Sequence, residues 1–170
     1  DIVAQVDPPS GCAPHTITIQ NNSFPINGYS LIWDFGNGNT SNAVNPVHTY
    51  TQGGSFPVRL EITSPTGCVS EETVEQIQVF EPALANFDWL NAEDTCNAGP
   101  IAFNDLSLPG DGTISQWFWD FGDGMTASEQ NPVHQYTNAG DYTISLVITD
   151  QNGCTDQFSR SINWAPAPDI

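Results

Sequence analysis

The sequence predicts an all-β protein built as two tandem β-sandwiches of about seven strands each. Three observations carry that prediction. One stretch, Trp33-Asp34-Phe35-Gly36-Asn37-Gly38, recurs as Trp119-Asp120-Phe121-Gly122-Asp123-Gly124. Apolar residues alternate with polar ones over short runs punctuated by 13 Pro and 14 Gly, the pattern of strands joined by turns. No stretch keeps a helical period for more than a turn or two.

The repeat sets the domain organisation. A shift of 86 positions aligns residues 33–68 with 119–154 without a gap, and half of the pairs are identical. Upstream the shift becomes 84, so that Cys12 meets Cys96 and Ser23 meets Ser107. The length difference falls between 24–32 and 108–118, as expected of a surface loop. A period near 85 residues is too long for a solenoid repeat and right for a small sandwich. The domains are therefore expected at 1–81 and 82–170. The chain opens on Asp1-Ile2 and closes on Asp169-Ile170, so a two-domain period of a longer array is one reading and coincidence the other.

Within copy one, Ile17/Ile19, Tyr29/Leu31/Trp33/Phe35, Val58/Leu60/Ile62 and Ile77/Val79 alternate as strands should. Copy two gives Ile101/Phe103, Trp117/Trp119/Phe121, Ile144/Leu146/Ile148 and Phe158/Ile162/Trp164. Trp33 and Trp119 are the expected core anchors. Gly36, Gly38, Gly122 and Gly124 are the expected turn formers. Asn37-Gly38 and Asp123-Gly124 predict tight two-residue hairpins. Asp34 and Asp120 predict carboxylates that accept amide hydrogens in the turn that follows, rather than catalytic groups. His48 and His134 each stand alone before an aromatic, which favours packing over metal binding or base chemistry. Gly140-Asp141-Tyr142 resembles the tyrosine corner of immunoglobulin-like folds, and copy one has Phe56 in its place.

The chain carries 20 acidic residues against two arginines, Arg59 and Arg160, for a formal charge of −18. Such a surface repels nucleic-acid phosphates and anionic lipid, so neither nucleic-acid binding nor direct membrane contact is expected. A solvated acidic coat is one reading and cation capture the other. Asp150, Asn152 and Asp156 superficially resemble a calcium loop but lack its full spacing. Glu81, Asp88, Glu93 and Asp94 are a second place for such an ion.

Four cysteines in a lysine-free β-rich chain point to an oxidising, extracellular compartment. The simplest pairing is Cys12–Cys68 and Cys96–Cys154, one bridge per domain, each worth about 4 kcal/mol in the chain-entropy model. Trp89, Trp117 and Phe118 are candidates for an aromatic platform against sugar rings, with one of the adjacent Trp117 and Phe118 facing out; sheet packing or a domain–domain contact is the other reading. Phe80-Glu81-Pro82-Ala83-Leu84 reads as a semi-rigid joint.

Three motifs occur in order in both copies. They are Trp-Asp-Phe-Gly-(Asn/Asp)-Gly, Asn-Pro-Val-His-x-Tyr, and Gly-x-(Phe/Tyr)-x-(Val/Ile)-x-Leu-x-Ile-Thr. Together they resemble the PKD (polycystic kidney disease) domain. The added cysteines and the Asn-Gly-Cys turn resemble PKD repeats of large surface proteins of gliding and secreting Bacteroidetes. The resemblance implies an immunoglobulin-like sandwich with no catalysis of its own. It implies a spacer or adhesion module of a surface protein or filament, whose partners are neighbouring repeats, packed side to side in a fibre, and a surface glycan or protein ligand. The alternative it implies is a carbohydrate-binding accessory domain of a secreted hydrolase.

Overall fold

The computed structural model describes residues 2–23, 28–90 and 99–165. The chain divides into two compact units, Asp1–Glu81 and Pro82–Ile170. Among the described residues all regular structure is strand.

Unit 1 contains β1 (Ala4–Asp7), β2 (Ser10–Cys12), β3 (His15–Asn21), β4 (Ser30–Asp34), β5 (Thr40–Ser41), β6 (Val47–Tyr50), β7 (Gly54–Thr63) and β8 (Val69–Phe80). One sheet has the order β1-β3-β6, the other β2-β8-β7-β4-β5. Pairing is antiparallel except for β2, which runs parallel to β8 with Cys12 opposite Phe80. Unit 2 contains β9 (Phe87–Leu90), β10 (Ile101–Asp105), β11 (Ile114–Asp120), β12 (Thr126–Ala127), β13 (Val133–His134), β14 (Gly140–Asp150) and β15 (Thr155–Trp164). Its sheets are β13-β10-β9 and β12-β11-β14-β15.

Alternation places every second side chain between the two sheets of a unit. In unit 1 that layer holds Ile17, Ile19, Leu31, Trp33, Phe35, Tyr50, Val58, Leu60, Ile77 and Val79. In unit 2 it holds Phe87, Trp89, Phe103, Trp119, Phe121, Tyr136, Ile144, Leu146 and Ile148. The two tryptophan anchors share one register: Trp33 lies opposite Leu60 and Trp119 opposite Leu146. Each is fully buried. Each indole still satisfies its N–H, donating to the carbonyl of Ala43 at 3.1 Å or of Glu129 at 3.0 Å.

Two sequence expectations need correction. Asn37-Gly38 is not a two-residue hairpin. Asp34 pairs with Thr40, so five residues make the connection, closed by a bond from the Phe35 amide to the Asn39 carbonyl at 3.1 Å. The Asp34 carboxylate takes the Gly36 amide at 2.8 Å, and Gly36 and Gly38 both sit at positive φ. Copy two repeats this with Asp120 and the Gly122 amide at 2.9 Å. The side-chain bond thus replaces the backbone of a primed turn.

The other correction concerns Cys12 and Cys68. Cys68 is a free, exposed thiol, and Cys12 is disulfide-bonded elsewhere. The reason is length. Cys12 lies beside the last residue of β8, whereas Cys68 immediately precedes its first. Twelve extended residues separate the ends by roughly 35 Å, against the ~7 Å between Cα atoms that a disulfide spans. Cys154 is also disulfide-bonded; Cys96 lies outside the described residues.

Candidate functional site

Each unit joins its two sheets through a ring stack built from the repeated motifs. Phe35 stacks flat on His48 with centroids 4.1 Å apart. His48 meets Tyr50 edge-on at 4.6 Å, and Tyr50 stacks on Phe56 at 4.5 Å. The Tyr50 hydroxyl donates to the Phe35 carbonyl at 2.9 Å, which returns the chain to the turn where the stack began. Unit 2 copies this with Phe121, His134, Tyr136 and Tyr142, and the Tyr136 hydroxyl donates to Phe121 at 2.8 Å. Burial, helped by Asp34, pushes the Tyr50 phenol up to about 12, and burial pushes that of Tyr136 higher still. Both remain donors at any physiological pH. Burial lowers His48, whose Nε2 lies 3.0 Å from the Asn37 amide nitrogen; His134 Nε2 lies 2.8 Å from Asp123. These histidines are fastened within a packing device, each between a stacked Phe and an edge-on Tyr.

Tyr142 fulfils the corner role, its hydroxyl donating to the Asn138 carbonyl at 2.8 Å. Phe56, without a hydroxyl, keeps only the ring stack.

The aromatic platform is not assembled as the sequence suggested. Trp89 is buried in the core beneath Arg160, whose guanidinium carbon lies 4.4 Å from the ring centre. Trp117 packs against the same core and donates its indole N–H to Asp105 at 2.7 Å. Only Phe118, one residue on and therefore on the outer face, is half exposed at 51 %. The signal that Trp89 belongs inside was present as Phe87-x-Trp89, the alternation of β9.

The calcium candidates are engaged with backbone amides. Asp150 takes the amides of Asn152 and Cys154 through one oxygen, both at 2.9 Å. Asp156 takes the Ala85 amide at 2.7 Å. At the other place, Asp88 pairs with Arg160 at 2.9 Å and Glu81 takes the Gly53 amide at 2.8 Å. The amide of Trp89 and then Arg160 hold the Asp88 carboxyl below its usual range. Glu93 and Asp94 lie outside the described residues. Among the described residues no three acidic, His or Cys side chains gather as a metal centre.

One feature sequence reasoning missed is a groove of about 280 Å³ in unit 1, lined by Tyr29, Ser30, Leu31, Asn42 and Val44. Its origin is clear from unit 2. There Trp117 stands at the Leu31 position and Gln130 at the Val44 position, and both donate to Asp105, at 2.7 and 3.0 Å. In unit 1 the counterpart of Asp105 is Asn21, whose buried amide nitrogen has no partner. Smaller apolar residues leave the groove, and the paired donors have gone with the indole.

Burial works against ionisation of Asp105, but hydrogen bonds from Ser107, Gln130 and Trp117 outweigh it and hold the carboxyl below its usual range. A depressed carboxyl stabilises the fold above its unfolded pKa, near 4, and that contribution fades as pH falls through the lower folded value. Asp105→Asn is therefore expected to cost unit 2 about 1–2 kcal/mol at neutral pH. Thermal melts across pH should show the gap to the native chain closing under acid; a gap constant from pH 7 to 2 would contradict the assignment.

Comparison with known proteins agrees with this architecture. The PKD domain family matches twice, over residues 7–79 and 88–164. A pre-pro-metalloprotease of Vibrio cholerae is 34% identical over 85 residues, covering 43% of this chain and 9% of that protein. A collagenase of Bacillus cereus is 46% identical over 50 residues, covering 29% of this chain and 5% of that protein. The chain thus spans less than a tenth of the length of these relatives. Among solved structures, the PKD1 domain of Vibrio anguillarum Epp is 31% identical, with a TM-score of 0.46 over 52% of this chain and 99% of that one. With the family matched across most of its length in two successive blocks, the chain belongs to the PKD domain family and is a tandem pair of such domains.

Proposed function

We propose that this pair is a non-catalytic extracellular structural module, a spacer segment of a repetitive cell-surface protein. One observation carries the reading. In both units the Asp, His and Tyr side chains of the repeated motifs are turned to fastening turns and joining sheets, so the most recurrent polar chemistry in the chain is structural. A −18 surface keeps such a module soluble and clear of phosphate and anionic lipid.

A second reading, accessory domains that hold a secreted hydrolase to its substrate, is favoured by the metalloprotease and collagenase relatives. Retention of the purified chain on insoluble collagen and on a glycan array separates the two. A spacer gives no saturable retention. Saturable retention that falls at least tenfold with Phe118→Ala would replace the spacer reading with the accessory one. Turnover by the chain itself in a hydrolase panel would overturn both.

A further inference from the structure

The groove beside Leu31 marks a place where two copies of one scaffold part in chemistry. In unit 2 one carboxylate oxygen of Asp105 accepts the Ser107 amide at 3.0 Å. The other accepts the Trp117 indole and the Gln130 amide. Unit 1 keeps the first half of this arrangement. Asn21 Oδ1 accepts the Ser23 amide at 2.9 Å. The backbone is held alike too, with the Asn21 amide donating to Asn45 and the Asp105 amide to Asn131. The Ser23 bond fixes which way the Asn21 side chain faces. Its nitrogen therefore takes the place of the second Asp105 oxygen, behind the positions where Trp117 and Gln130 stand in unit 2. In unit 1 those positions are Leu31 and Val44, two walls of the groove. The nitrogen is buried and has no partner in the protein, an unfavourable state for a donor.

The rest of the groove is uncharged. Leu31 forms a buried base at 7% exposure, while Tyr29 and Val44 stand at the rim at 41% and 44%. Tyr29 and Leu31 are two apart on one strand face, so the phenol ring flanks the space above Leu31. The exposed Ser30 and Asn42 add a hydroxyl and an amide. In unit 2 the residue aligned with Tyr29 is Ser115, so the ring stands at a different position on the strand in each copy. A volume of about 280 Å³ lies at the low end of small-molecule sites and suits a single substituted ring.

We propose that this groove of unit 1 binds one pyranose ring of a neutral sugar. The C–H face of the ring lies against Tyr29 and Leu31, and a ring hydroxyl oxygen accepts the Asn21 amide hydrogen. Val44, half exposed, is the side chain that turns aside to admit that hydroxyl. The remaining hydroxyls meet Ser30 and Asn42. An indole, which fills this place in unit 2, would set a donor against a donor. A phenol has one polar atom and would leave Ser30 and Asn42 unmatched. The site goes beyond the spacer reading and does not rest on it. A single ring is held in about the millimolar range, too weakly to survive washing on an array, so the two tests are independent.

The test titrates the isotope-labelled chain with the methyl glycosides of glucose, galactose, mannose and N-acetylglucosamine, and follows amide NMR spectra. The expected result is a saturable shift of the Asn21 side-chain amide and of Leu31 and Val44 with at least one glycoside. Tyr29→Ala should weaken it about tenfold, the loss of the ring contact. Phe118→Ala should leave it unchanged. A triple variant, Asn21→Asp with Leu31→Trp and Val44→Gln, installs the unit 2 plug. It should abolish the shift while melting no lower than the native chain. Indole should not bind the native chain. The proposal is overturned if no glycoside shifts these resonances saturably, or if binding persists in the triple variant. Indole binding in place of the glycosides, or shifts confined to unit 2, would also overturn it.

Discussion

Trp119→Ala is expected to unfold unit 2 while leaving unit 1 folded. The indole is fully buried and meets Phe87 edge-on at 5.0 Å and Phe103 at 5.6 Å. Deleting it removes one of the largest apolar surfaces of the unit and opens a cavity between sheets that strand pairing holds apart; such truncations cost about 3–5 kcal/mol. It also strands the Glu129 carbonyl that the indole N–H satisfied. A small domain has about 5–15 kcal/mol of total stability, so the loss is a large fraction. The unit 1 core is a separate cluster around Trp33, so calorimetry should show an early transition split from one that scarcely moves. Trp119→Phe, which keeps a ring but loses the donor, should fall between. An unshifted single melt for Trp119→Ala would mean the indole is not the anchor described.

The second large effect separates two glycines that look alike in the sequence. Gly122 and Gly124 both sit at positive φ, near +80° and +89°. Around Gly124 an added Cβ meets nothing within 4 Å, so alanine pays only for the left-handed backbone, about 1 kcal/mol. At Gly122 the Cβ would lie 2.6 Å from the Thr143 carbonyl oxygen and 2.9 Å from its nitrogen. That backbone belongs to β14 and cannot turn aside, so Gly122→Ala is expected to cost about 3 kcal/mol. Gly36 meets the backbone of Pro57 in the same way, and the same ordering against Gly38 should hold in unit 1. Denaturant melts of the four alanine variants decide it; equal effects within a pair would contradict the close approach.

Much of this fold was legible because period-two alternation and the duplicated motifs speak to local geometry. Ile17/Ile19, Trp33/Phe35 and Ile144/Leu146/Ile148 are buried where alternation puts them. The motif aspartates bind the turn amides their residue type favours. What was hidden depends on distance through the fold. Cys12 and Cys68 look like a pair in sequence, and only the parallel placement of β2 on β8 shows that a strand's length separates them. The groove beside Leu31 was invisible because it arises from what an aligned position lacks, the Trp117 indole and its Asp105 partner. For Trp89 the packing reading holds: Phe87-x-Trp89 alternates within β9, and its burial comes from the sheet that faces it.

With no lysine and two arginines, the chain offers a trypsin-like protease two peptide bonds to cut. Both arginines lie well inside paired strands: Arg59 between Asp34 and Thr73 on its two sides, Arg160 opposite Ile144. A protease needs its substrate extended and unpaired, so cleavage waits for the strand to open and its rate follows the rarity of that event. Durability in a protease-rich medium is thereby tied to the cohesion of each sandwich.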